Sequence, residues 1–108
     1  LSLHTLAEYL SAVTGWQTSA YEIMRFGERR IHLMRAYNLR EGIPADQDTL
    51  PERFFTEGLT CQGRLQGIRL DKSKFKQMIQ LYYQMMGWDA EGRPLNATLI
   101  DHHLDFIL

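Results

Sequence analysis

Three groups of residues in this 108-residue chain have types and spacings that could do chemistry. Asp101, His102, His103 and Asp105 bring two imidazoles and two carboxylates within five positions, the donor types of a divalent-metal site. On a helix His102 and Asp105 share a face, but the adjacent histidines diverge and the sequence positions no third ligand. Glu28 and His32, four apart, have the spacing of an acid and a base, yet no nucleophile lies beside them, and a helix-surface pair is the simpler reading. Arg25, Arg29, Arg30, Arg35 and Arg40, with Tyr37 for stacking, could line a nucleic-acid face; the interleaved Glu22, Glu28 and Glu41 and a net charge of -1 oppose it. The lone cysteine, Cys61, can form no internal disulfide and cannot supply the four thiolates of an iron-sulfur cluster, so it reads as a small loop or interface residue.

The arginines carry the strongest signal. Arg, unlike Lys, donates two parallel hydrogen bonds to a carboxylate or to neighbouring carbonyls, so arginines beside an irregular loop indicate fixed geometry. Arg35 and Arg40 are expected to hold Asp46 and Asp48, or loop carbonyls, and to turn the loop into a rigid wall. These four residues are the structural clamp candidates. No catalytic, cofactor-binding or metal-binding residue is assigned.

The elements that position them are helical. Leu3, Leu6, Leu10 and Val13 recur at helical spacing after a Ser2 cap and stop at Gly15. After Thr18 or Ser19, a stripe of Ala20, Ile23, Met24, Gly27, Ile31 and Met34 predicts a second helix to about Arg40, ended by Gly42. Gly27 on that stripe predicts close approach of another backbone. Residues 41–70 read as a long ordered loop with one helical turn near Pro51 to Phe55. Asp71 caps a helix to Met86 whose apolar face is Phe75, Met78, Ile79, Tyr82 and Met85 or Met86, and Gly87 stops it. Tyr82-Tyr83 and Met85-Met86 could offer a soft binding surface. A turn at 89–94 leads to a last helix capped by Asn96. The expectation is an all-α bundle of about four helices, approximately 2–14, 19–40, 72–86 and 96–104, in a single domain spanning 1–108.

Composition narrows the classes. Hydrophobic residues at 44% and charged residues at 23% are globular values, and a domain of this length normally buries about two thirds of its unfolded surface. No apolar run approaches the ~20 residues needed to cross a bilayer, and the start lacks a signal-peptide pattern. The chain is expected to be cytoplasmic, with neither nucleic acid nor membrane as partner. Opening in mid-pattern at Leu1, it reads as excised from something longer.

Gly27-Glu28-Arg29, then Asn38-Leu39-Arg40-Glu41-Gly42, Asp48-Thr49-Leu50-Pro51-Glu52-Arg53-Phe54, and a late Tyr82-Tyr83 with Gly87-Trp88-Asp89 and Gly92-Arg93-Pro94 resemble the C-terminal helical portion of an aldehyde ferredoxin oxidoreductase. The resemblance runs from about Leu6 to Leu104. It implies a parent enzyme (EC 1.2.7 type) with tungsten or molybdenum on two pterins beside an iron-sulfur cluster, oxidising an aldehyde to a carboxylic acid and passing electrons to ferredoxin. The family's cluster cysteines and pterin-binding motifs match no position here, so this segment is expected to bind no cofactor and to be inactive in isolation. Its role would be packing and substrate-channel or interface surface against the remaining domains of the parent. The tail departs from the family pattern, with Asp101-His102-His103-Leu104 where a Glu and a Gly-Leu ending are expected. The alternative is a free-standing helical interaction module without catalysis.

Overall fold

A computed structural model describes residues 2–108 as five α-helices: α1 (Leu3–Thr14), α2 (Ala20–Arg40), α3 (Arg53–Thr56), α4 (Lys72–Met85) and α5 (Asn96–Asp101). Short 3-10 turns at Ala45–Gln47 and Asp105–Ile107 complete the order. The all-α expectation holds, with the helical turn near Phe55 appearing as α3.

The helix ends follow from local chemistry. Ser2 caps α1 by accepting from the Thr5 amide. Ser19 and Glu22 form a reciprocal capping box on α2, with Ser19 N donating to the Glu22 carboxylate at 2.7 Å and Glu22 N donating to the Ser19 hydroxyl at 3.2 Å. Asp71 accepts from Lys74 N at 2.8 Å to start α4. Asn96 is not the cap of α5: Leu95 holds that position without a side-chain bond, and Asn96 is the first helical residue.

The last helix is also shorter than the periodicity suggests. It stops at Asp101 because His103 adopts the left-handed conformation, φ 55°. His103 N then donates to Ile100 O at 3.0 Å and Leu104 N to Leu99 O at 2.7 Å. This double bond pattern is a Schellman ending, in which glycine usually takes the left-handed place. Leu104, the residue after the reversal, is fully buried. His103-Leu104 thus ends the helix as a glycine followed by an apolar residue commonly does.

Burial departs most from the sequence reading along α2. Of the apolar stripe, Met24, Ile31 and Met34 are 41–52% exposed, while His32 is 2% exposed and is the buried residue of the helix. The inward face is polar: Arg25, His32 and Arg35 reach across to the segment 83–104. Nor does another backbone approach Gly27, since a Cβ built there would meet nothing within 4 Å. On α4, Tyr83 is buried, whereas Tyr82, Met78 and Met85 are exposed. Phe75 and Ile79 are half-buried beside it.

The shape explains these reversals. The Cα radius of gyration is 18.8 Å, against about 13 Å for a compact domain of this length. The accessible surface is 8675 Å², where a compact monomer of this mass exposes about 6,200 Å² and its unfolded chain about 18,300 Å². The chain therefore buries about half of its unfolded surface rather than two thirds.

Candidate functional site

Two polar clusters fasten α2 to the rest of the chain, and Trp88 joins them. The first is built on Arg35. Its guanidinium forms a forked pair with Asp48, Nη2 to Oδ2 at 2.6 Å and Nη1 to Oδ1 at 3.1 Å. Nε donates to Gly92 O at 2.8 Å, and Nη2 reaches the Tyr83 hydroxyl at 3.3 Å. Tyr83 in turn donates a short bond to Asp48 Oδ2, the same oxygen that Arg35 Nη2 meets. The guanidinium lies 5.0 Å from the centroid of the Trp88 ring and 5.5 Å from that of Tyr83, so both aromatic faces receive the cation.

Local structure presents each partner. Asp89 closes the turn 88–94 by accepting from Glu91 N at 3.0 Å and Arg93 N at 2.8 Å, which turns the Gly92 carbonyl toward α2. Only glycine fits at 92: its φ is 72°, and a Cβ would collide with the Arg35 guanidinium and the Tyr83 ring. Gly87, in the left-handed conformation, ends α4 and lets Trp88 N return to Tyr83 O at 2.8 Å. The motifs Gly87-Trp88-Asp89 and Gly92-Arg93-Pro94 are thus the two sides of one receptacle for Arg35.

The second cluster is built on two histidines. Trp88 Nε1 donates to His32 Nδ1 at 3.0 Å. An indole N–H only donates, so Nδ1 accepts and the His32 proton resides on Nε2. His102 stacks against His32 with ring centroids 4.4 Å apart. Arg25 Nη1 lies 3.2 Å from His102 Nε2 and Arg25 Nη2 reaches Asp101 at both its carbonyl, 2.9 Å, and its carboxylate, 2.8 Å. A guanidinium cannot accept, so His102 Nε2 is the acceptor and this ring too is neutral. Arg29 Nη2 donates to His103 O at 3.2 Å, covering the end of α5.

Electrostatics agree with this network. Burial, then the neighbouring His102, holds the His32 pKa below the ordinary histidine value; burial, then Arg25, does the same to His102. Burial pushes Asp48 upward, but the hydrogen bonds from Arg35 and Tyr83 outweigh it and leave the carboxyl below its usual range. The Tyr83 phenol is raised by burial and by its bond to the Asp48 carboxylate.

The sequence-derived groupings separate accordingly. Arg35 and Asp48 meet. Arg40 does not reach Asp46 or Asp48: it pairs with its neighbour Glu41 at 3.0 Å, stacks 5.1 Å from the Tyr37 centroid and stays 72% exposed. It sits at the last turn of α2, beyond the inward face that carries Arg25, His32 and Arg35. Glu28 does not partner His32; it lies 3.4 Å from Arg25, and His32 turns to Trp88. Asp101, His102 and His103 do not converge on a metal position, and no group of three His, Cys, Asp or Glu side chains with metal-holding geometry occurs among the described residues. Of the five arginines that could line a nucleic-acid face, Arg25, Arg29 and Arg35 are engaged within the chain. Sequence reasoning missed the central place of Tyr83 and Trp88; their signal was the Gly-Trp-Asp and Gly-Arg-Pro turns, each ordering a partner of α2.

The donor set fits neither a tungsten or molybdenum pterin nor an iron-sulfur cluster. His32 Nδ1 faces the Trp88 indole, His102 Nε2 and Asp101 face Arg25, Asp48 faces Arg35, and Cys61 lies exposed with no second thiol. What the arrangement does is fasten: charged pairs and planar stacking hold α2, the loop at Asp48, α4 and α5 in register.

The fold and site thus define an all-α domain with a polar seam whose buried side-chain polar atoms are all hydrogen-bonded among the described residues, and with many large apolar side chains exposed. The aldehyde ferredoxin oxidoreductase family, domains 2 and 3, matches residues 1–104, and the chain belongs to that family. It is 36% identical over 89 residues to the tungsten-containing aldehyde ferredoxin oxidoreductase of Thermococcus kodakarensis, with 80% of this chain and 14% of that protein covered. The enzyme of the same name from Pyrococcus furiosus is 33% identical over 87 residues, with the same coverage. The fold is similar to part of the active-site complex BamBC of benzoyl coenzyme A reductase in complex with 1,5-dienoyl-CoA, with a TM-score of 0.78 at 20% identity, covering 99% of this chain and 14% of that one. The chain spans 14% of the length of the curated relatives it matches.

Proposed function

We propose that this chain is the C-terminal helical domain of an aldehyde ferredoxin oxidoreductase-like enzyme (EC 1.2.7 type), oxidising an aldehyde to a carboxylic acid with electrons passed to ferredoxin. The pterin-bound metal and the iron-sulfur cluster are held by other parts of the parent; this segment supplies packing surface and one wall of the substrate channel, and by itself is inactive. The observation that carries the reading is the inversion of burial along α2, with charges inside and apolar side chains outside, which suits a domain set into a larger protein. Family membership and the coverage of the tungsten-containing relatives support it.

The loop 41–52 fastened by Arg35 and Asp48 is the candidate wall. It borders an open groove of about 880 Å³ whose other side is Phe75, Ile79 and Tyr83 of α4. The remaining domains of the parent are the partners, in the cytoplasm, with neither nucleic acid nor membrane involved; no helix among the described residues is long and apolar enough to cross a membrane. The test is assay of the full parent polypeptide for aldehyde-dependent reduction of ferredoxin, beside metal analysis of this chain purified alone. Activity in the parent, with no stoichiometric tungsten, molybdenum or iron in the isolated chain, is expected; a parent inert toward aldehydes, or a cluster absorbance band in the isolated chain, would overturn the reading.

A further inference from the structure

We infer that His102 is a proton-operated clasp: neutral, it fastens the end of α5 to α2, and on taking up a proton it lets that end open while the rest of the chain stays folded. Arg25 Nη1 lies 3.2 Å from His102 Nε2. A guanidinium only donates, so this bond exists only while Nε2 keeps its lone pair. A protonated Nε2 is itself a donor. The carboxylate oxygens beside it, Glu28 Oε2 at 3.8 Å and Asp101 Oδ2 at 3.9 Å, already serve Arg25. Imidazolium and guanidinium would then compete for the same two carboxylates, and the contact that holds the ring would become a repulsion between cations.

The charged and titratable groups facing this ring are Arg25, Glu28, Arg29 and His32 from α2 and Asp101 from α5. His32 offers it no relief, since its Nδ1 is taken by the Trp88 indole. Burial and the Arg25 cation hold the His102 pKa below its ordinary value, so acid favours any state in which the ring is released. The backbone beyond the ring favours the same state. His103 is left-handed at φ 55°, a conformation that a side chain takes at a steric cost. It is restrained from α2, by Arg25 on the Asp101 carbonyl and Arg29 on the His103 carbonyl, and by the burial of Leu104. With six residues and no side-chain cap at its start, α5 has few bonds of its own to resist opening. No residue of α1 takes part in the cluster, so its protection is the internal reference.

The test is amide hydrogen exchange of the full parent polypeptide, corrected for the intrinsic pH dependence of exchange. Between about pH 7.5 and about pH 5.5 the amides of His102, His103 and Leu104 should lose protection by up to about tenfold, the limit set by one histidine whose folded pKa is depressed. The amides of α1 should keep theirs. His102→Gln places a carbonyl oxygen that accepts from Arg25 but takes no proton, and in this variant protection at 102–104 should be the same at both pH values. Unchanged wild-type protection would overturn the proposal, and this comparison decides without the variant should His102→Gln fail to fold. Acid loosening that persists in His102→Gln would overturn it too, by assigning the response to another group such as His32. Equal loss in α1 and at 102–104 would mean that the whole domain opens and that there is no local clasp.

Discussion

The indole Nε1–H of Trp88 donates to Nδ1 of His32 across 3.0 Å, tying the turn after α4 to the middle of α2. The same ring lies 5.0 Å from the Arg35 guanidinium carbon, so one side chain serves both polar clusters. Both Trp88 and His32 are under 10% exposed, and water cannot replace what either loses.

Trp88→Phe should therefore destabilise the chain by about 1–3 kcal/mol, because it leaves a buried imidazole acceptor without a donor. Urea unfolding measures it. A change below about 0.5 kcal/mol, the size typical of neutral surface substitutions, would mean that the bond contributes nothing.

Arg35→Lys should cost about 2–3 kcal/mol despite keeping the charge. One ammonium cannot reproduce the fork to Asp48, the Nε bond to Gly92 and the stacking on two rings. The figure is below the 3–5 kcal/mol of a fully buried broken pair, since the Asp48 side chain is 30% exposed. Arg40→Ala should change stability by less than about 0.5 kcal/mol, as for other exposed pairs. Thermal melts of the two variants side by side test the contrast, and equal shifts would contradict it.

Stability should fall on mild acidification. The folded pKa values of His32 and His102 lie below the ordinary 6.5. The unfolded chain then binds more protons than the folded chain as pH drops below that value, so the stability due to these neutral rings is present above pH 6.5 and is lost beneath it. Asp48 acts in the same direction at lower pH, its contribution fading as pH falls below the ordinary 3.8 and through its depressed folded value. Melting temperature against pH should decline from about pH 6.5 downward, the onset set by the ordinary histidine pKa. His102→Gln should flatten the upper part of that decline. A melting temperature constant between neutrality and the carboxylate range would be inconsistent with the neutral histidine pair.

His103→Gly should stabilise the chain by about 1 kcal/mol, because glycine enters the left-handed conformation without the steric cost that a side chain bears there. His103 is exposed and its hydrogen bonds are made by its backbone, the amide to Ile100 O and the carbonyl to Arg29. A loss of stability would show that the imidazole contributes a contact of its own.

Local chemistry was open to reading without the fold. The Ser2, Ser19 and Asp71 caps, the stops at Gly15, Gly42 and Gly87, and the ordering of Arg35 with an acidic loop residue all depend on interactions within a few residues or on a side chain with few alternatives. The arginine-rich motifs likewise carried the family resemblance that the match over residues 1–104 established. The ending at His103 was harder, since a left-handed histidine looks in sequence like any helical residue until Leu104 demands burial.

Helical periodicity determined that α2 is amphipathic, but not which face would be covered by this chain. That depended on where the segments 83–94 and 99–104 fall in space. They bring a carbonyl, an indole, a phenol and an imidazole to the same side of α2 as Arg25, His32 and Arg35. Directional hydrogen bonds and forked ion pairs can be satisfied only by partners at fixed positions, whereas an apolar stripe can be covered by any apolar surface. The sequence by itself thus determined the helices, the ends of all but the last, and the family; only the tertiary structure decided where α5 stops and that Arg25, His32 and Arg35 of α2 turn inward.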